Sequence, residues 1–272
     1  MNYSKYAEIP GKIQGKTQGG ITMKFRLFSV VISATIAAVL LTCGGRDGQQ
    51  FQTLSDAQID SVRQAVQNTP KTPVQENEVG VIETNYGTIV VRFFSDVAPI
   101  HCQNFKRLAE AGYYDGTHFH RVIEGFMIQG GDILSRDDTP GNDGTGGPGF
   151  TIPAEFSRKP HYRGRLSMAR GQDPNSAGSQ FFIVQNPNLT KEQIYNAEMR
   201  LDYEYPDSVV QTYLDQGGYP SLDNNYTVFG EVIKGMDVVD EIAAVPTNQN
   251  DRPQQPAVMK DVYIATRNNV NL

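Results

Sequence analysis

The chain has 272 residues, of which 39% are hydrophobic and 20% are charged, and its 24 basic and 30 acidic side chains give a net charge of −6. This composition excludes a collagen-like repeat, a coiled coil, a disulfide-stapled miniprotein and a chain too polar to bury a core. Because an acidic protein lacks the diffuse basic field that holds a nucleic-acid backbone, we predict no nucleic-acid partner.

The N-terminal residues 1–42 are predicted to form an export signal peptide. Lys24 and Arg26 precede an uncharged apolar run over residues 28–41. As a helix this run would rise about 21 Å, which is short of the roughly 30 Å hydrocarbon core of a membrane. The apolar region of a signal peptide fits this length better than a membrane span. Met23 stands where such a signal would begin, so residues 1–22 are interpreted as an artefact of start-site choice.

The end of the apolar run resembles the lipobox of bacterial lipoproteins, since Leu40 stands three positions before Cys43 and glycines follow it. Thr42 departs from that pattern, which usually has Gly, Ala or Ser at this place. The resemblance implies that Cys43 is lipidated and that the protein is anchored to a membrane of the bacterial cell envelope, facing the periplasm or the cell surface. Ordinary cleavage and an uncleaved anchor are the alternatives. Cys102 is then left without a disulfide partner, and we interpret it as a passive helix residue.

Residues 43–77 are predicted to form a tether with one short helix near 55–66. Ser55 and Gln58 have the spacing of a capping box, and Ile59, Val62 and Val66 recur at helical spacing. The proline-containing stretch 68–73 ends this helix.

Dense strand patterning begins after Asn77, and the folded domain is predicted over residues 78–268. Helices are predicted from Pro99 to Gly112 and over 236–244. Because βαβ alternation is missing, the pattern indicates an antiparallel barrel or sandwich. Short strands are predicted at 79–83, 88–94, 118–123, 126–129, 166–169, 180–184, 228–233 and 258–266.

Residues 189–218 have a different character and are predicted to form an inserted helical hairpin. Thr190 and Gln193 form a second capping-box pattern, Pro206 suits the start of a second helix, and two glycines end it at 217–218. Our hypothesis is that this hairpin is an independent appendage at the mouth of the site.

Two motifs are discounted. Residues 144–149 satisfy G-x-G-x-x-G, but an extended segment follows them rather than a helix, so no dinucleotide site is expected. His118 and His120 share one face of a strand, but no third ligand stands at a recognisable spacing, so no metal site is predicted.

A candidate site emerges from three segments, 119–132, 167–183 and 226–232. The Glu124-Gly125 turn folds the first segment on itself, so that Arg121 and Gln129 can converge. In this order the three segments resemble the cyclophilin family of peptidyl-prolyl cis-trans isomerases. The likeness runs from about Val79 to Thr266, and residues 172–177 look like the bacterial branch.

The resemblance implies a closed antiparallel eight-stranded barrel with two capping helices, a monomer, and a site without cofactor or metal. It also implies that Arg121 is the catalytic donor, oriented by Gln129, with His120 as structural support. Ser221 stands where eukaryotic relatives carry the Trp associated with cyclosporin binding, which leaves drug sensitivity open. The implied substrate-binding residues are Phe126, Met127, Gln129, Ala169, Arg170, Gln180, Phe182, Leu222 and Tyr226.

Two functions follow from this resemblance. The first is an enzyme that speeds prolyl isomerisation in exported proteins at the bacterial cell envelope, with proline-containing segments of unfolded or exported proteins as partners. The second is a non-catalytic binding or chaperone module that uses the same groove. The guanidinium of Arg121 favours the first, because a binding module has no need of that donor.

Overall fold

The computed structural model describes residues 54–137 and 141–270, all of which belong to one compact unit spanning Phe51–Leu272. The export signal and the lipidation site at Cys43 fall outside the described residues and stay predictions. No helix in the described part of the chain combines the length and apolar character needed to cross a membrane.

Eight antiparallel strands form one curled sheet, which confirms the mainly β prediction. Their hydrogen-bonded order is β3-β4-β6-β5-β7-β2-β1-β8. The strands are β1 (Glu78–Thr84), β2 (Thr88–Phe93), β3 (Arg121–Ile123), β4 (Met127–Gly130), β5 (Arg165–Met168), β6 (Phe181–Val184), β7 (Val228–Lys234) and β8 (Met259–Thr266).

The two end strands of this order, β3 and β8, approach each other through the residues that precede them. Within the described ranges they share no ladder, but His118 and Val258 form an isolated antiparallel bridge. The amide of Met259 also donates to the carbonyl of Thr117 at 2.8 Å. The closed form of the barrel therefore stays a prediction, while the curled eight-stranded sheet is established.

Helices accompany the sheet at α1 (Asp56–Asn68), α2 (Pro99–Glu110), α3 (Lys191–Leu201), α4 (Asp207–Gln216) and α5 (Met236–Ala243). Pro99 is the first residue of α2, where its fixed φ suits the first turn and its missing N–H is not needed. The chain leaves α2 at Gly112, whose φ of +67° is a left-handed conformation that glycine adopts without strain. Both α2 and α5 lie where the sequence predicts helices.

The main core lies between α2 and the sheet and is built around aromatic rings. Phe105 of α2 is fully buried, and its ring centroid lies 5.0 Å from Tyr114, 5.5 Å from Phe181 and 5.9 Å from Phe229. The thiol of the neighbouring Cys102 donates to the carbonyl of Phe229 at 3.2 Å, and burial raises the pKa of that thiol to about 12. A thiol that stays protonated at neutral pH is a poor nucleophile, in agreement with the passive role predicted for it.

The described part of the predicted tether, residues 54–77, packs on the domain instead of hanging free. The helix forms as predicted, with the capping box of Ser55 and Gln58, but Ile59, Val66 and Val74 are buried in the main core cluster. Arg107 of α2 donates to the carbonyl oxygens of Thr69 and Gln67 at 3.0 and 3.1 Å. The physical reason is that a helix of 13 residues is marginal alone and gains stability by burying its apolar stripe.

We expect Val66→Ala to lower the free energy of unfolding by about 2 kcal/mol, because it removes two methyl groups from a side chain with 0% exposure and leaves a cavity. Val62→Ala on the same helix is the matched control, since Val62 is only half-buried and should cost clearly less. Urea unfolding of both variants measures the difference. If residues 54–77 were a tether, Val66→Ala would leave the unfolding curve unchanged.

The inserted hairpin has its own apolar cluster, formed by Ile194, Tyr205, Val210 and Tyr213. Thr190 caps α3 by accepting from the amide of Gln193 at 3.2 Å, as its sequence pattern predicts. The glycines that end α4 allow close backbone approach, because a Cβ at Gly218 would lie 2.5 Å from the carbonyl oxygen of His161.

The hairpin is joined to the rest of the domain by a buried carboxylate. Asp223 accepts hydrogen bonds from the hydroxyls of Tyr205 at 2.6 Å and Tyr213 at 2.7 Å. Its other oxygen pairs with Nδ1 of His161 at 2.7 Å, and Nε2 of His161 lies 2.9 Å from the hydroxyl of Ser167 on β5. These contacts argue against an independent appendage, because the hairpin supplies two of the groups that satisfy this carboxylate.

Candidate active site

The strands β3 and β4 form a tight hairpin that determines which side chains meet. Gly125 occupies the turn with a φ of +73°, and the amide of Phe126 donates to the carbonyl of Ile123 at 3.0 Å. This turn pairs Arg121 directly with Gln129 across the two strands. Directly opposed residues project to the same face of the sheet, so Arg121 and Gln129 share one surface, as the sequence predicts.

A small apolar socket opens beside these two residues. Met127, Phe182, Val184 and Leu222 form its buried floor. The rings of Phe182 and Tyr226 meet edge to face with centroids 5.6 Å apart. The cavity measures about 140 Å³, and its lining brings together nine of the predicted residues, namely Arg121, Phe126, Met127, Gln129, Ala169, Arg170, Phe182, Leu222 and Tyr226.

Arg121 lines the rim of the socket, and its side chain is 43% exposed. Its Nε donates to the carboxylate of Asp251 at 3.3 Å, and Asp251 is itself 41% exposed. The carbonyl of Asp251 also accepts from the amide of Val122 at 2.7 Å, and Asp251 holds a left-handed φ of 61°. This acidic residue therefore positions Arg121 from the segment between α5 and β8.

Gln129 has a different partner from the one predicted. Its Nε2 donates to Oε1 of Gln180 at 3.1 Å, whereas Arg121 is held by Asp251. The structure shows no hydrogen bond from Gln129 to Arg121 within the described residues, and the orientation of Arg121 by Gln129 stays a prediction.

Gln180 lines a larger neighbouring cavity rather than the socket. Its Nε2 donates to the carbonyls of Gly144 and Gly146, both at 3.0 Å, which ties down the glycine-rich loop over residues 144–149. Asp132 holds the same loop by accepting from the amide of Gly146 at 3.0 Å, and a Cβ at Gly146 would overlap that carboxylate. The loop is a close backbone crossing, and Gln180 would have to exchange an internal bond to bind a peptide with its amide group.

The predicted substrate-binding residues Ala169 and Arg170 are also partly engaged in internal contacts. The amide of Ala169 donates to the carbonyl of Gln180 at 2.9 Å, so this N–H is not available to a substrate. Arg170 donates to the carbonyl of Asn225 at 2.9 and 3.0 Å and lies over the ring of Tyr226, 4.8 Å from its centroid. Arg170 therefore forms a fixed wall between the socket and the larger cavity.

His120 precedes Arg121 in the chain and is buried, with burial as the main cause that lowers its pKa. Burial likewise lowers the pKa of His118 to about 4. Both rings are neutral at pH 7, which suits the structural role predicted for His120. No cluster of three or more His, Cys, Asp or Glu side chains that could hold a metal ion occurs in residues 54–137 or 141–270.

Asp223, His161 and Ser167 follow one another at hydrogen-bond distance, but their geometry serves structure. All three are buried, and the hydroxyl of Ser167 lies 3.0 Å from the carbonyl of Thr227, to which it can donate. The ring of His161 stacks under Phe182 with centroids 6.3 Å apart and planes 12° apart. The network thus supports the floor of the socket from below.

This chain resembles one known protein family and several curated proteins over the region that forms the site. The family model described as "Cyclophilin type peptidyl-prolyl cis-trans isomerase/CLD" matches residues 79–264. A curated protein of Staphylococcus haemolyticus named "Putative peptidyl-prolyl cis-trans isomerase" is 38% identical over 196 residues, covering 70% of this chain and 93% of its own. A protein of the same name from Staphylococcus epidermidis is 37% identical over 196 residues, which cover 70% of this chain and 94% of that protein.

A solved structure from Cryptosporidium parvum agrees with these relatives in fold. It is a crystal structure of a cyclophilin type peptidyl-prolyl cis-trans isomerase in the presence of the dipeptide Ala-Pro. It is 30% identical and has a TM-score of 0.52, and the alignment covers 69% of this chain and 98% of that one.

Proposed function

This chain belongs to the cyclophilin family of peptidyl-prolyl cis-trans isomerases, and from that premise we propose that it accelerates prolyl isomerisation in exported proteins at a bacterial cell envelope. The observation that carries the proposal is the guanidinium of Arg121 at the rim of an apolar socket lined by Phe126, Met127, Phe182 and Leu222. The proposed substrates are proline-containing segments of unfolded or exported proteins. The Ala-Pro dipeptide present with the Cryptosporidium cyclophilin supports this substrate class.

The chemistry asked of this site is modest. Rotation about an imide bond meets a barrier of roughly 18–20 kcal/mol, whereas a turnover of about 10³ s⁻¹ requires a barrier of about 13 kcal/mol. The site must therefore supply roughly 5–7 kcal/mol of selective stabilisation. In the twisted state the amide resonance is lost and lone-pair density appears on the prolyl nitrogen. A fixed donor aimed at that nitrogen stabilises the twisted state and not the planar ground state.

Arg121 is the proposed donor. A guanidinium is a planar fork of N–H donors that can be held in one orientation. The ion pair with Asp251 supports this role, since the carboxylate accepts from Nε and leaves the terminal nitrogens of the fork for the substrate. Burial of the proline ring against Phe182, Met127 and Leu222 would fix the imide nitrogen relative to the guanidinium.

A protease-coupled assay with a capped prolyl tetrapeptide tests this function. We expect the protein to speed the cis-to-trans conversion in proportion to its concentration. Binding of the same peptide without any rate increase would favour the non-catalytic binding or chaperone module instead.

The envelope location is proposed from the sequence before the described residues. Lys24 and Arg26, the apolar run 28–41 and Cys43 form the pattern of a lipoprotein signal. The staphylococcal relatives support a bacterial setting. A diacylated cysteine would hold the enzyme where exported chains emerge unfolded, which is where slow prolyl isomerisation limits folding.

We expect the protein in its native host to sediment with membranes, and Cys43→Ser to release it or leave it unprocessed. Cys102→Ser is the matched control, because it removes a buried cysteine of the domain and should leave the membrane association intact. Intact-mass measurement of the mature protein checks the added acyl groups. A mature protein without acyl mass would contradict the proposal of a lipid anchor.

A further inference from the structure

The larger cavity beside the socket is lined in part by a helix that lies before the family-matched region. The cavity measures about 630 Å³, and its walls are the glycine-rich loop, residues 169–171 and 178–180, and Arg63 of α1. The family model begins at Val79, whereas α1 ends at Asn68. Arg63 thus lies outside the family-matched residues while it lines a cavity beside the site.

Arg63 is held over the cavity by two contacts. Its Nε donates to the carbonyl of Gly147 at 3.1 Å, and its Nη1 lies 3.4 Å from the carboxylate of Asp60, which is 74% exposed. The helix beneath it is fixed because Ile59 and Val66 are buried in the main core. The guanidinium is therefore presented by a docked helix and not by a free chain end.

The charge of this cavity is opposite to that of the whole chain. The charged side chains among its described lining residues are Arg63 and Arg170, and the rest are glycines, polar uncharged or apolar residues. The chain as a whole carries a net charge of −6. A local positive cavity in an acidic protein favours an anionic side chain over a neutral one.

The cavity and the socket are neighbours that share Gln129, Ala169 and Arg170 in their linings. A peptide whose proline occupies the socket would run past the shared wall. In an extended peptide the side chains alternate, so the residue two positions from the proline projects to the same side as the proline ring. That residue can enter the larger cavity.

We propose that α1 supplies a substrate-specificity residue, and that Arg63 makes the site select segments with an Asp or Glu two positions from the proline. This inference rests on the proposed function, because it takes the socket to be the proline site. It assigns the N-terminal segment a role in choosing substrates in addition to its role in stability.

Three capped pentapeptides with a central proline test the proposal. One carries Glu at the first position, one carries Glu at the last position, and the third carries Gln at both. Nuclear magnetic resonance gives the Kd from titration shifts and the isomerisation rate from exchange in the same samples. We expect one Glu peptide to bind about two- to five-fold more tightly than the Gln peptide, as is usual for a partly exposed charge pair.

Matched variants locate the source of this preference. Arg63→Gln should bring the Glu-to-Gln affinity ratio below about 1.5-fold, and Asp60→Asn should raise the ratio because it removes the competing carboxylate. Arg267→Gln removes an equal charge from a residue that lines neither cavity, and it should leave the ratio unchanged. The ratio should also shrink in about 1 M salt, where the screening length falls to roughly 3 Å.

Equal affinity of the wild type for all three peptides overturns the proposal. A Glu-to-Gln affinity ratio that is unchanged in Arg63→Gln also overturns it, because the preference then comes from Arg170. If Arg63→Gln does not fold, Asp60→Asn decides, since a ratio that fails to rise contradicts a role for Arg63. A clear affinity preference without any rate increase would instead refute the enzymatic function while supporting the charge selection. Failure of the charge-selection proposal and failure of the proposed enzymatic function are thus distinguishable.

Discussion

Replacing Arg121 with alanine is expected to lower kcat/KM for a prolyl tetrapeptide at least ~10-fold, which corresponds to a loss of about 1.4 kcal/mol of transition-state stabilisation. The reason is that the guanidinium at the rim of the socket is the donor proposed for the prolyl nitrogen. This loss is well within the roughly 5–7 kcal/mol that the site has to supply. Arg121→Lys should recover only part of the activity, because an ammonium group lacks the planar fork.

The fold should survive this substitution. Arg121 is 43% exposed and its ion pair with Asp251 is exposed as well, and such pairs contribute only ~0–1 kcal/mol to stability. Thermal unfolding of Arg121→Ala beside wild type checks this, and Arg267→Ala serves as a charge-matched control for activity. Unchanged turnover in a folded Arg121→Ala variant would remove Arg121 from the mechanism.

Much of the site could be predicted from the sequence because its geometry is local. The three residues 124–126 connect Ile123 to its partner Met127, and this register places Arg121 opposite Gln129. The pairing of Gln129 with Phe182 follows from the next antiparallel ladder. Short-range turn signals and alternating strands therefore suffice to gather most of the socket.

The contacts that the sequence did not reveal join residues far apart along the chain. Asp251 and Arg121 are 130 positions apart in the sequence. The polar residues around Asn248 predict a turn, but they do not indicate that Asp251 pairs with Arg121. The stripe of Ile59 and Val66 predicts a helix but not the surface that buries it. Hydrogen-bond partners of this kind depend on the assembled fold and have no periodic signature.

The insert shows the same limit more strongly. Its acidic helices suggest a solvated appendage, yet the hydroxyls of Tyr205 and Tyr213 converge on the carboxylate of Asp223. Asp223 directly follows Leu222 of the socket floor. The insert is thus coupled to the site through a buried charge, and it should be regarded as part of the folded domain.

The double variant Tyr205→Phe with Tyr213→Phe is expected to lower the free energy of unfolding by roughly 2–5 kcal/mol, because it removes both hydroxyl donors from one oxygen of a buried carboxylate. Each single variant should cost about 1 kcal/mol, since the other hydroxyl remains, so the double loss should exceed the sum of the two. Tyr203→Phe is the matched control, because Tyr203 packs against Tyr205 at 5.4 Å without contributing to this network. Urea unfolding with unchanged m-values gives all four free energies.

The pH dependence of stability gives an independent check on the same network. Burial, and after it the Asp223 carboxylate, raise the pKa values of Tyr205 and Tyr213 above the ordinary value of 10.0. The unfolded chain ionises these phenols near pH 10 while the folded protein keeps them neutral, so this contribution to stability is complete below that pH and is lost as the pH rises through and beyond it. Wild type should therefore lose stability above pH 10 more steeply than the double variant, whose phenylalanines do not titrate. If the free energy of unfolding fell equally steeply above pH 10 in both proteins, and the double variant were as stable as wild type, the insert would be an independent appendage.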